Sequence, residues 1–191
     1  MEVAVIGTGF IGGTLGSALS RAGHHVRFGS RHPNDDPVAE GTDTRVVTIT
    51  EALDGADAVI LAVPGPAVSD LVADHGHELS GHLVVDATNR MGAPVANSRA
   101  DLPPDVRYAR AFNTLGGEVM AQPRFADGPA DLFCSAPEAD RATVETLVEG
   151  VGLRPIVLGP DTEDIVDSLF RLWIALVPGH GRRHALRLLE E

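Results

Sequence analysis

Three glycines at fixed spacing offer the first chemistry in this chain: Gly7-Thr8-Gly9-Phe10-Ile11-Gly12. Glycines placed this way let backbone N–H groups close on a phosphate, because no Cβ stands in the way. The motif gains its meaning from its flanks. Val3-Ala4-Val5-Ile6 precedes it as a buried strand, and Leu15, Ala18, Leu19 and Ala22 follow at helical spacing before Gly23. Gly7 is expected to make the tight turn, Gly9 to admit a pyrophosphate, and Gly12 to pack helix on strand. The helix N-terminus then faces the negative charge. A purely structural glycine turn would not need that order of flanking elements. These residues predict a dinucleotide site.

The kind of dinucleotide is read about twenty residues on, at the end of the second strand. His25-Val26-Arg27-Phe28-Gly29 delivers Ser30-Arg31-His32 to that point. A carboxylate here would accept both ribose hydroxyls of NAD and repel the extra phosphate of NADP. A hydroxyl and a guanidinium fork suit the phosphate instead. Ser30 and Arg31 therefore select NADP(H), with Asp35 and Asp36 close by as opposing charges and Pro33 placed to turn them away.

The rest of the chain alternates strand and helix signals, the pattern of a Rossmann-type doubly wound, mostly parallel α/β sheet. Strands are predicted at 45–49, 58–63, 83–87 and 106–112, then at 130–135 and 153–158. Thr50 is expected to cap a short helix from Glu51, and a helix follows Pro64-Gly65-Pro66 to about Leu79. Residues 93–104 read as a plain loop, and 138–150 as a helix. A helix from Asp161 or Thr162 to about Val177 is expected to break at Pro178-Gly179, with a final short helix from His180. The whole, 1–191, reads as one dinucleotide-binding domain with 160–191 a C-terminal helical segment. Three turns close successive strands: Ala62-Val63-Pro64, Ala87-Thr88-Asn89 and Phe112-Asn113-Thr114. Ligands of open α/β sheets bind outside these carboxyl ends.

Charge and composition narrow the partners. A net charge of −12 disfavours nucleic acid and anionic membrane. No apolar run is long enough to span a bilayer, and Met1 leads straight into the first strand without a signal peptide. Cys134, the single cysteine, fits a reducing cytoplasm and reads as a small core residue. All fifteen basic residues are arginine, which excludes a lysine acid, base or Schiff base. The pairs His75/His77 and His180/His184 lack the further ligands a metal site needs. Asp57 and Asp86 read as turn and cap residues, not as catalytic carboxylates.

Taken together, these segments resemble the NADPH-dependent oxidoreductases of the deazaflavin coenzyme F420. Carriers of the resemblance are Gly7 to Gly12, Gly29-Ser30-Arg31, Ala62-Val63-Pro64 and Asp86-Ala87-Thr88-Asn89. Arg110-Ala111-Phe112-Asn113-Thr114-Leu115-Gly116 and the late Leu172-Trp173-Ile174-Ala175-Leu176 are similar to more specific family segments. The resemblance implies hydride transfer between NADPH and a flat deazaflavin or flavin-like acceptor. By position, Thr8, Phe10 and Ile11 would line the pyrophosphate turn, and Ser30 with Arg31 would hold the 2′-phosphate. Val63 and Pro64 would lie near the nicotinamide ribose, with Asn89, Ala111, Phe112 and Asn113 around the hydride-transfer space. The chain departs from the family where Asn34-Asp35-Asp36 replaces a further basic residue.

Hydride transfer between two ring cofactors needs orientation more than an acid or base, and no catalytic residue is assigned. A non-catalytic NADP-binding redox sensor is the alternative reading. The apolar breadth of the 162–177 helix (Ile165, Leu169, Leu172, Trp173, Leu176) predicts a homodimer with Trp173 as anchor.

Overall fold

Val3-Ala4-Val5-Ile6 and Ala58-Val59-Ile60-Leu61 are no more than 1% exposed, as strands covered on both faces must be. They pair side by side in the computed structural model of the protein, which describes residues 1–34, 44–94 and 96–189. Six strands make one parallel sheet: β1 (Glu2–Ile6), β2 (His25–Ser30), β3 (Arg45–Thr48), β4 (Ala58–Leu61), β5 (Leu83–Asp86) and β6 (Arg107–Arg110). Their order is β3-β2-β1-β4-β5-β6. The chain winds outward to β3 on one side and to β6 on the other, so the order reverses between β1 and β4. That reversal opens the crevice of a doubly wound sheet. The predicted Rossmann-type architecture is therefore observed.

Helices cover both faces. α1 (Phe10–Arg21) and α5 (Arg141–Gly150) bury Leu15, Leu19, Val144 and Leu147 on one side. On the other, α2 (Ile49–Leu53) and α3 (Val68–Leu79) bury Leu53, Leu71 and Leu79. Beyond β6 come α4 (Gly117–Ala121) and a hairpin of β7 (Arg124–Phe125) and β8 (Gly128–Pro129). β9 (Asp131–Cys134) and β10 (Arg154–Val157) pair in parallel as a separate two-stranded sheet instead of extending the main one. Among the described residues, an antiparallel bridge between Arg110 and Ser135 joins it to β6. α6 (Glu163–His180) packs across the ends of β6 and β9. Cys134 is fully buried, as expected, and burial pushes its thiol up to about 12.

Several local expectations give way to tertiary contacts. Thr48, not Thr50, caps α2: its hydroxyl accepts from Glu51 N–H while the Glu51 carboxylate accepts from Thr48, a capping box that starts the helix earlier. Residues 93–104 are not a plain loop, because Asn97 and Ser98 are buried and bonded, and a 3₁₀ turn follows at Arg99–Asp101. Pro178 does not break α6. It stands in the last turn, and the helix runs on to His180 before Gly181 leaves it at φ 70°.

Nor do residues 181–189 form a helix. Their polar groups find better partners elsewhere: Leu188 N–H donates to Asp131, Arg187 to the Asp127 carbonyl, and Trp173 Nε1 to the His184 carbonyl. This strap stacks His184 on Trp173, with 5.3 Å between ring centroids, and leaves the tryptophan 3% exposed. The chain itself thus covers the residue expected to anchor a second copy.

Candidate dinucleotide site

Each glycine of the loop meets a different constraint, and the three constraints match three separate tasks. Gly7 adopts φ +113°, and a Cβ there would stand 2.7 Å from the Ala62 carbonyl. A Cβ on Gly12 would stand 2.0 Å from the Gly7 carbonyl, so helix and turn touch through backbone alone. Gly9 has nothing within 4 Å of its Cβ direction, which leaves open space above the loop. It is also the N-cap of α1, with no side chain bonded to the exposed amides and no acid in the first turn. Those free N–H groups and the positive helix end suit an anionic group. The residues present fit a pyrophosphate.

The loop opens into a cavity of about 310 Å³ that runs to the end of β2. Gly7, Thr8 and Gly9 line it together with Ser30, Arg31, His32, Val63 and Pro64. Ser30 Oγ accepts from His32 N–H at 2.9 Å, which folds the chain after β2 into a tight turn and leaves Arg31 and His32 exposed at the rim. Asp70, Asp74 and His75 of α3 line the same cavity. A helix face of such mixed polarity carries no site signature in the sequence. Asp35 and Asp36 lie outside the described residues.

At the other end of the crevice the turns after β4, β5 and β6 crowd together. A Cβ on Gly65 would meet the Asn89 carbonyl at 2.8 Å, so the first two turns are in contact. Asn89 Nδ2 donates to the Asn113 carbonyl at 3.0 Å, which joins the second to the third. Ala111, Phe112 and Asn113 are at most 1% exposed, so the first two side chains support the site from beneath. Phe112 sits at φ 62°, a left-handed conformation unfavourable for a bulky residue, and this reverses the chain at the end of β6. Next to it, the buried Thr114 hydroxyl has no hydrogen-bond partner among the described residues. Phe10 and Ile11 reach across to this side: a Cβ on Gly117 would touch both. Phe10 remains 62% exposed.

Beneath these turns lies Asp86, whose place at a strand end predicts a turn or cap residue. Asp86, 0% exposed, accepts from Thr88 N–H and Oγ1 on one oxygen and from Ser98 N–H and the Tyr108 hydroxyl on the other. Burial, then the adjacent carboxylate, drives the Tyr108 phenol far above its ordinary range, so it stays a donor. Arg110, also 0% exposed, lies 3.4 Å from Asp86 and 2.9 Å from Asp167 of α6. Of the paired histidines, His75 bonds Glu78, and His184 stacks on Trp173 with its ring also 6.1 Å from that of His180. Among the described residues no cluster of three or more metal-ligating side chains occurs, and no helix is long and apolar enough to cross a membrane.

Residues 2–90 match the family described as NADP oxidoreductase, coenzyme F420-dependent. A solved protein of Arthrobacter sp. FB24, described provisionally as an F420-dependent NADP reductase, is 25% identical over 100% of both chains with a TM-score of 0.81. A hypothetical protein from Sinorhizobium meliloti is 27% identical over 100% of this chain and 96% of its own, with a TM-score of 0.68. The mouse metalloreductase STEAP2 is 29% identical over 91% of this chain. Here the chain spans only 37% of the relative's length. The glycine loop and the carboxylate-free end of β2 both lie within residues 2–90, the stretch over which this chain is similar to the coenzyme F420-dependent NADP oxidoreductase family.

Proposed function

We propose that the protein transfers hydride between NADP(H) and a deazaflavin, coenzyme F420, or a similar flat flavin-like acceptor. The observation that carries this reading is the continuous cavity joining the glycine loop to Ser30, Arg31 and His32. Gly7, Thr8, Gly9 and Gly12, with Phe10 and Ile11, shape the pyrophosphate turn, while Ser30 and Arg31 hold the 2′-phosphate. Val63 and Pro64 flank the nicotinamide ribose. Asn89 and Asn113, backed by Ala111 and Phe112, border the space where the rings meet. Bound NADPH supplies the hydride, and the residues named here bind and orient. The amides and apolar groups at the strand ends suit that task, since a hydride passing between stacked rings needs no protein acid or base.

The family match and the Arthrobacter structure support a deazaflavin acceptor, and the metalloreductase similarity supports testing flavins and ferric chelates beside it. A cytoplasmic setting and a homodimer through α6 complete the proposal. Stopped-flow absorbance of purified protein with NADPH and coenzyme F420 tests it. The expected result is coupled loss of both chromophores. Tight NADPH binding with no transfer to deazaflavin, flavin or ferric chelate would replace the enzyme with a redox-sensing NADP module.

A further inference from the structure

We propose that Arg110 and Asp167 act as positioning residues for the nicotinamide end of the cofactor, through Asn89 and Asn113. The inference rests on the NADP(H) reading above and assigns a role to a part of the chain beyond the matched residues 2–90.

An arginine buried to 0% exposure demands partners for five N–H donors. Arg110 satisfies them on the loops that close the crevice. Nη1 donates to the Asp86 carbonyl at 3.1 Å and to the Thr88 carbonyl, pinning the turn after β5 from below. Nη2 donates to Asn89 Oδ1 at 2.9 Å. With its amide oxygen facing the guanidinium, Asn113 accepts from Nη2 at 3.1 Å and from Nε at 3.3 Å. Both carboxamides are thereby fixed by one planar group. The Asn89 amino group then points on to the Asn113 carbonyl, closing the link between the two turns.

Asp167 fixes the guanidinium in turn. Its Oδ1 accepts from Nε at 2.9 Å, and its Oδ2 accepts from Asn97 N–H at 3.1 Å and Asn97 Nδ2 at 2.8 Å. α6 is thus tied through one carboxylate to β6 and to the loop before Ser98. Ser98 N–H bonds Asp86, so the path returns to the end of β5. A fold needing only a filled core would place an apolar side chain here at lower desolvation cost. The fork instead delivers directional bonds to two amides where the turns after β5 and β6 meet. Since the strand order reverses between β1 and β4, a dinucleotide reaching from β2 across β1 ends over these turns.

The test compares two ligands on Asp167→Asn: NADPH, and 2′,5′-ADP, which lacks the nicotinamide half. Loss of a positioned charge-assisted bond is expected to weaken NADPH about tenfold and to change 2′,5′-ADP less than about twofold. Equal weakening of both, or of neither, overturns the proposal, because general support of the fold would not separate the two halves of the cofactor. Arg110→Lys keeps the charge but not the fork, and the same split is expected. If neither variant folds, the cluster is a folding element and the proposal falls. A wild-type chain that binds neither ligand overturns the cofactor reading and this inference with it. A chain that binds NADPH but reduces no acceptor overturns only the enzymatic reading, and the binding ratio still decides the role of Arg110 and Asp167.

Discussion

Arg31 stands exposed at the rim of the cavity, one residue past a strand end that carries no carboxylate. A guanidinium there is a selective feature only if it meets the phosphate that distinguishes NADP from NAD. Arg31→Ala is therefore expected to weaken NADPH binding by about 1.5–3 kcal/mol and to leave NADH nearly unchanged. Calorimetric titration with both cofactors checks it; equal losses would assign Arg31 to the fold or to the adenine. The geometry of the glycine loop was legible in the sequence because it depends on local spacing alone. The three glycines answer to backbone geometry within six positions, and Gly7, Gly9 and Gly12 behave as their spacing demands. Arg110 was not legible in the same way. Its partner Asp167 lies 57 positions away, and nothing in either local sequence marks a charge as buried. The closest signal was the cluster of polar turns at successive strand ends, which held Asn89 and Asn113 but not the groups that fix them.

At the scale of elements, the central strands β1, β4 and β5 were legible because continuous apolar runs have few other solutions, and the ends of the sheet strands moved by only a few residues. The last segment was not. Its composition favours a helix, yet the strap at 181–189 gains more from bonds to other elements than from its own ladder. Asp131 of β9 anchors it, accepting from Leu188 N–H at 2.7 Å and from Arg154 of β10. Burial works to raise the Asp131 pKa, but the bonds from Arg154 and Leu188 outweigh it and hold the carboxyl below its ordinary value. A pKa lower in the folded state adds stability that is fully present above the unfolded value, about 3.9. That stability is lost as pH falls through the lower folded value. The strap should therefore loosen only below about pH 4, uncovering Trp173. Trp173, the sole tryptophan, reports this directly. Its emission is expected to shift in that window in the wild type, and Asp131→Asn should show the shifted emission at neutral pH. A wild-type signal that stays flat down to global unfolding would dissociate Asp131 from the strap.

At the scale of the whole molecule, the unresolved demand is the outer face of α6. The helix buries Val166, Asp167, Phe170 and Trp173 against the rest of the chain. On the opposite side Ile165 is 51% exposed and Leu172 46%, with Leu169 and Leu176 half-buried between them. Positions 165, 169, 172 and 176 follow helical spacing, so they make one continuous apolar stripe. The sequence showed a helix apolar over too much of its surface but not which part the strap would cover. With Trp173 enclosed, the anchor of a second copy moves from Trp173 to Ile165 and Leu172. A two-fold contact would set the stripe against itself, each Leu172 meeting the partner helix. The protein is expected to scatter light as a species of about twice 20.0 kDa at micromolar concentration. Leu172→Glu places a charge in that contact and should return it to the monomer mass, while NADPH affinity is expected to be retained, because Leu172 lies on the exposed side of α6 and Asp167 on its buried side. A wild-type mass near 20 kDa would rule the dimer out. A dimer untouched by Leu172→Glu would place the interface on another face.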